Sequence, residues 1–250
     1  MKKIHIIIIG GGGQKVNKDN INISVIIRVS NEERWIGHCI QSVIDKLSDP
    51  EIIIVNDSSK DNSINIVKHF VKDPLLDEKI ERLDEKIESN YANIKILNID
   101  DYKPGKSLNM GVREASNEVC LVISAHCVLT SIDLKNHLKD LEKFACIFGN
   151  QIPYWSGKRI NKRYIWSHFT NKKTENMYSD LENRYFHHNA IALYKKSTLI
   201  EFPFDENLQH KEDRYWVNDI IANNKKSLYD PELCADHHYT QNGNTWKGLN

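Results

Sequence analysis

Ile23-Ser24-Val25-Ile26-Ile27-Arg28-Val29 is apolar at all but two positions, and Trp35, Ile36, Cys39, Ile40, Val43, Ile44 and Leu47 follow it at helical spacing. A short, nearly unbroken apolar run suits a strand buried on both faces. The unit then repeats. Glu51 to Val55 is a second apolar run ending in Asn56-Asp57-Ser58-Ser59, and Asp61 to Val71 again has helical spacing, with Ser59 or Asp61 available as a cap. Strand–helix–strand repetition predicts a parallel sheet with right-handed crossovers. Ile94–Ile99, a helix over Lys106–Ala115 and Val119–Ser124 extend the pattern, and the charged stretch Lys72–Asn90 reads as an amphipathic helix on the domain's edge. The expected fold is α/β: a doubly wound, mostly parallel, Rossmann-like sheet with helices on both faces and its ligand site at the C-terminal strand ends.

The rest of the chain fits one domain of that kind. Its 250 residues are 40% hydrophobic, enough for a sizeable core, and 34 Lys and Arg balance 34 Asp and Glu. With no net field, nucleic acid is not an expected partner. No apolar run approaches the roughly 20 residues of a membrane span. Ile4 to Ile9 is the longest candidate, and it runs into Gly10-Gly11-Gly12-Gly13 without the pattern of a secretory signal. A cytoplasmic protein is expected. The glycines do not open a periodic helix, as a phosphate-binding loop must, so residues 1–22 read as a leader and linker. Residues 23–250 form the domain, in two parts at about 23–126 and about 127–250. The five cysteines are odd in number, lack a C-x-x-C pair and read as reduced core residues.

Beyond Asn150 the periodicity fades. Tyr154, Trp155, Lys158, Arg159, Lys162, Arg163, Tyr164 and Trp166 accumulate there. Such a segment suits either an acceptor-binding lid or a basic surface with anchoring aromatics. Four strand ends carry Ser30-Asn31-Glu32, Asn56-Asp57, Pro104-Gly105-Lys106 and Ser124-Ala125-His126. Together they offer a carboxylate for a base edge, polar groups for a ribose and cationic help for a diphosphate.

Ile23-Ser-Val-Ile-Ile-Arg-Val-Ser-Asn-Glu-Glu33, Ile54-Val-Asn-Asp-Ser-Ser-Lys-Asp61, Gly105-Lys-Ser-Leu-Asn-Met-Gly111 and Lys211-Glu-Asp-Arg-Tyr-Trp216 resemble, in order and spacing, the successive motifs of family 2 glycosyltransferases with the GT-A fold. The resemblance spans roughly Ile23 to His238. It implies an inverting transfer of a sugar from a nucleotide-sugar, with UDP-sugars favoured, to the hydroxyl of a saccharide or lipid-linked acceptor. In these terms Asp57 reads the base, Glu32 lies beside the nucleoside, and Ser30, Lys106, Asn109, Ser124 and Glu212 line the donor pocket. Asp213, the second member of the acidic pair, is the general base. Phe186-His187-His188-Asn189-Ala190 matches the segment under the sugar, where its histidines either line the pocket or lie at the surface.

The chain departs from the family at the metal motif, where Ser124-Ala125-His126 replaces Asp-x-Asp. The resemblance then implies a divalent ion, Mn2+ in preference to Mg2+, on His126 with His237 or His238. A metal-free alternative has His126 donating directly to the diphosphate. Two rivals follow. A nucleotidyltransferase would carry a glycine-rich basic loop after the first strand, and Val29-Ser30-Asn31-Glu32 is not one; a non-catalytic binding subunit would explain the lost carboxylates but not the retained Asp213 and histidines. The family context also implies a role in bacterial surface polysaccharide synthesis, with peripheral contact at the inner face of the membrane.

Overall fold

The computed structural model describes residues 21–71 and 92–241. The glycine run and the expected helix over Lys72–Asn90 lie outside the described residues. Ile23–Val29 (β1) sits at the centre of a parallel set with Glu51–Asn56 (β2), Asn93–Asn98 (β3) and Val119–Ser124 (β4), in the order β3-β2-β1-β4. Side chains alternate across this sheet. Val25, Ile27 and Val29 pack towards the helices Ile36–Lys46 (α1) and Ser63–Lys68 (α2), while Ile26 faces Leu108 and Val112 of Pro104–Glu114 (α3). Both faces are covered, and for that reason the strand sequence is apolar almost throughout.

Gly111 allows that second face to close, since a Cβ there would stand 2.6 Å from Ile26 Cγ2. Gly105 does the same at the helix start, where a Cβ would stand 2.2 Å from the Asp205 carbonyl oxygen. At the opposite end of the strands, Glu51 accepts from Ser24 Oγ at 2.5 Å and from Ser116 N and Oγ at 2.7 Å each. Burial would raise its pKa, but these bonds and Lys95 bring it down to about 2. Asp61, proposed as a cap, accepts instead from Ser63 N and Oγ and from Glu33 N, tying α2 to the end of β1.

The second half completes a mixed sheet. Cys146–Trp155 (β6), Ile191–Lys195 (β11) and Ser227–His238 (β12) continue it in the order β4-β11-β6-β12, with Cys127–Ser131 (β5) at the edge. β11 runs antiparallel to both β4 and β6, whereas β12 runs parallel to β6. β6 turns back into Lys158–Arg159 (β7) through Ser156 and Gly157, both at positive φ, a two-residue hairpin. Four of the five free cysteines are buried and Cys234 is half-buried. No helix among the described residues is long and apolar enough to cross a membrane.

Candidate active site

A cleft of about 940 Å3 opens at the C-terminal ends of β1, β2 and β4. Arg28, Ser30, Glu32, Asp57, Ser124 and His126 line it from the first half of the chain. His188, Asn189, Ala190 and the turn Glu212-Asp213-Arg214 line it from the second. Sheet register explains the meeting. The antiparallel pairing of Ile191 with Ile123 and the bond from Ser124 N to Ala190 O lay His188–Ala190 alongside Ser124. Lys106 and Asn109 stand outside this lining. Lys106 pairs with Asp101 at 3.3 Å, and Asn109 is buried, clasping Phe204 through both its carbonyl and its N–H.

Asp57 keeps a carboxylate with no hydrogen bond or ion pair among the described residues. Its backbone is fixed on both sides, by Asp57 N donating to Val29 O at 2.8 Å and Ser30 Oγ donating to Asp57 O at 3.2 Å. The group is therefore held in place yet open to a ligand.

The acidic pair opens the helix Glu212–Ala222. Neither residue caps it; both lie in its first turn, where the helix dipole favours negative charge. Glu212 meets Arg28 Nη1 at 3.1 Å, and Arg28 also donates to Pro104 O. Burial, reinforced by Asp213, holds the Glu212 carboxyl above its ordinary pKa despite Arg28. Asp213 differs sharply. It accepts from Arg214 Nη1 at 2.8 Å, from Arg214 N at 2.9 Å and from Asn189 N at 3.1 Å. Burial alone would raise its pKa, but Arg214, His188, His187 and the Asn189 N–H bring it to about 2. Asp213 is thus ionised at any working pH.

Of the two adjacent histidines, only His188 reaches the cleft. His187 is a core residue, with Nε2 2.5 Å from Tyr194 Oη and Nδ1 3.8 Å from Cys146 Sγ. Burial lowers its pKa to about 4 and that of His188 to about 3. Both are neutral.

His126 and His237 turn their Nε2 atoms towards each other at 3.1 Å. Cys127 pairs with His237 across β5 and β12, which sets His126 beside it. Behind them, His126 Nδ1 lies 3.1 Å from Glu32 Oε1 and His237 Nδ1 lies 2.9 Å from Gln151 Oε1. Glu32 therefore lines the cleft with one carboxylate oxygen turned to His126. His238 stands apart from the pair: its ring stacks on Trp35 at 3.8 Å, and its N–H donates to His126 O. Among the described residues no group of three His, Cys, Asp or Glu converges as a metal cage. Two facing imidazole nitrogens could supply two ligands to a borderline transition-metal ion.

Arg28, Gln151 and Arg214 are site residues that sequence reasoning missed. Arg28 had a signal, being the one charge in an otherwise apolar strand. Gln151, fully buried in β6, had none.

Comparison with known proteins assigns the family. The sequence pattern of glycosyl transferase family 2 matches residues 24–202, and the chain belongs to that family. A Campylobacter jejuni GalNAc(5)-diNAcBac-PP-undecaprenol beta-1,3-glucosyltransferase is 26% identical over 198 residues, covering 78% of this chain and 59% of that protein. The S. aureus TarS 1-349 structure in complex with UDP-GlcNAc superposes with a TM-score of 0.63 at 18% identity, over 89% of this chain and 60% of that one. GalNAc-T7 with UDP, GalNAc and Mn2+ gives a TM-score of 0.61 at 15% identity, over 89% of this chain and 45% of that one. The chain spans less than two thirds of the length of each of these three proteins. The two structures establish the GT-A fold.

Proposed function

We propose that this chain is an inverting glycosyltransferase that moves a sugar from a nucleoside-diphosphate sugar, a UDP-sugar, to an acceptor hydroxyl. The observation that carries this reading is the convergence of Asp57, His126 and Asp213 on one cleft, with His237 buried 3.1 Å from His126. Asp57 reads the base edge with its open carboxylate, while Ser30 and Ser124 border the nucleoside. His126 and His237 would hold a divalent ion, Mn2+ in preference to Mg2+, because imidazole nitrogen suits softer ions than magnesium. Such an ion supplies positive charge to the departing diphosphate.

Asp213 acts on the acceptor. The hydroxyl oxygen forms a bond to the anomeric carbon as the bond from that carbon to the diphosphate breaks on the opposite face, and the hydroxyl proton passes to Asp213. Because so acidic a carboxylate is a weak base, proton transfer follows well behind cleavage of the donor bond, once the incoming hydroxyl has become acidic. A second reading gives the proton to Glu212, and its raised pKa favours it.

The relative from Campylobacter is named for an undecaprenol-linked acceptor. A lipid-linked saccharide acceptor, met by peripheral contact at the inner face of the membrane during surface-polysaccharide synthesis, is the corresponding reading here. Calorimetric titration with UDP, GDP, CDP and dTDP, each with and without Mn2+, tests it. One nucleotide binding tightly only with Mn2+, with that binding lost in His126→Ala, is the expected result. Binding indifferent to the metal makes His126 a direct diphosphate contact; no binding of any nucleotide refutes the transferase reading.

A further inference from the structure

The backbone N–H of Ala190 can only donate, and it points to His188 Nδ1 at 3.2 Å. That ring nitrogen is therefore an acceptor, so the Gln151 atom 3.0 Å from it must be the amide NH2. Gln151 then presents its carbonyl oxygen to His237 Nδ1 at 2.9 Å, which makes that nitrogen N–H and leaves His237 Nε2 with a lone pair. On the other side, His126 Nδ1 faces the Glu32 carboxylate at 3.1 Å and must also carry a hydrogen, so the neutral ring of His126 presents its lone pair at Nε2. The two Nε2 atoms face each other across 3.1 Å. Two lone pairs at that distance repel unless a cation joins them, either a proton in an N–H···N hydrogen bond or a metal ion held by both rings.

From this geometry we infer that Gln151 and Glu32 are positioning residues that lock His237 and His126 as Nδ1–H tautomers, so that both Nε2 lone pairs are presented to one metal ion. The inference rests on the proposed metal-dependent reading and extends it to residues that never touch the ion. A fixed hydrogen bond on the far nitrogen sets ring orientation and raises ligand basicity, and its loss typically lowers metal affinity about 10–100-fold. Gln151 matters twice, because a single amide orientation satisfies His188 and His237 together.

Two measurements test it. Nitrogen-15 spectra of histidine-labelled, metal-free protein at pH 8 read each ring's tautomer directly; the expected result is protonated Nδ1 and bare Nε2 at both His126 and His237, with the His237 preference lost in Gln151→Leu. Calorimetry with Mn2+ in the presence of UDP is expected to show affinity falling about 10–100-fold in Gln151→Leu and Glu32→Leu. Glu32→Gln, which keeps an oxygen for His126, should restore affinity to within a few-fold of wild type. An Nε2–H tautomer at either histidine, or wild-type Mn2+ affinity in both leucine variants, overturns the inference. The spectra need neither nucleotide nor metal, so failure of the transferase reading would be seen separately, as nucleotide that does not bind.

Discussion

Asp213→Asn removes a negative charge while keeping the shape of the side chain. In the wild type the carboxylate takes three hydrogen bonds, two from Arg214 and one from Asn189 N. The amide oxygen can keep one or two of these, and Glu182 remains 3.4 Å from Arg214 Nε. The stability loss should therefore be about 1–3 kcal/mol, below the roughly 3–5 kcal/mol for leaving a buried charge unpaired. The catalytic loss should be larger. Removing a general base costs about 100- to 10,000-fold in rate, or about 3–5 kcal/mol of barrier. Nucleotide release from donor, followed at saturating acceptor, should show kcat falling by that factor while calorimetric affinity for the nucleotide stays within about threefold. Glu212→Gln is the comparison. Because Asp213 has a pKa of about 2, the wild-type rate should show no acid limb from the base above about pH 3. A kcat within threefold of wild type in Asp213→Asn, together with collapse in Glu212→Gln and an acid limb that disappears with it, would refute the assignment and move the base to Glu212.

Other consequences follow from the same contacts. His187 and His188 are held neutral, with folded pKa values of about 4 and 3, below the unfolded histidine value. Unfolding then takes up protons, so stability is fully present above about pH 7 and falls by about 1.4 kcal/mol per pH unit for each histidine as the pH drops from about 6 towards 4. Denaturant melts across that range should show the loss, and His187→Phe should remove about half of it; a pH-independent midpoint in the wild type would contradict the burial argument. Gly105→Ala drives a Cβ into the Asp205 carbonyl and should cost about 1–3 kcal/mol or more in a thermal melt, whereas a change under 0.5 kcal/mol would mean that the loop yields. Asp57→Ala should weaken nucleotide binding about tenfold or more, from the loss of a charge-assisted hydrogen bond, with the melting temperature nearly unchanged because the carboxylate makes no hydrogen bond or ion pair among the described residues. Unaltered calorimetric affinity would remove Asp57 from the base site.

The strands Ile23–Val29 and Val119–Ser124 were legible residue for residue because burial on both faces leaves an apolar run with no competing period. The second half was not. β12 is broken by a register shift between Asp230 and Cys234, and Pro231 and Glu232 sit within it, so no strand period survives in its sequence. The segment from Tyr154 to Trp166 looked irregular because it is a tight hairpin followed by a short 3-10 helix. Tyr164 and Trp166 do line the cleft, while Lys162 turns inward to Asn150 Oδ1 at 2.8 Å and the Phe169 carbonyl.

The residues lining the cleft were legible by type, and their orientation was hidden. Asp57, His126 and Asp213 are recognisable as carboxylate, imidazole and carboxylate; nothing in a sequence says which ring nitrogen carries a hydrogen. That distinction decides what Ser124-Ala125-His126 can do in place of an acidic motif. A carboxylate that binds a cation directly brings its own negative charge to the ion. Here Glu32 keeps that charge one layer back, 3.1 Å from His126 Nδ1, and the imidazole carries its influence forward through the ring. Glu32 is buried and makes the backbone start of α1 as well, its carbonyl accepting from Trp35 N and Ile36 N. The position is therefore fixed by the fold before any ligand arrives. An aspartate there would fall one methylene short of His126 without disturbing those backbone bonds, so Glu32→Asp separates the carboxylate's reach from its role in starting the helix.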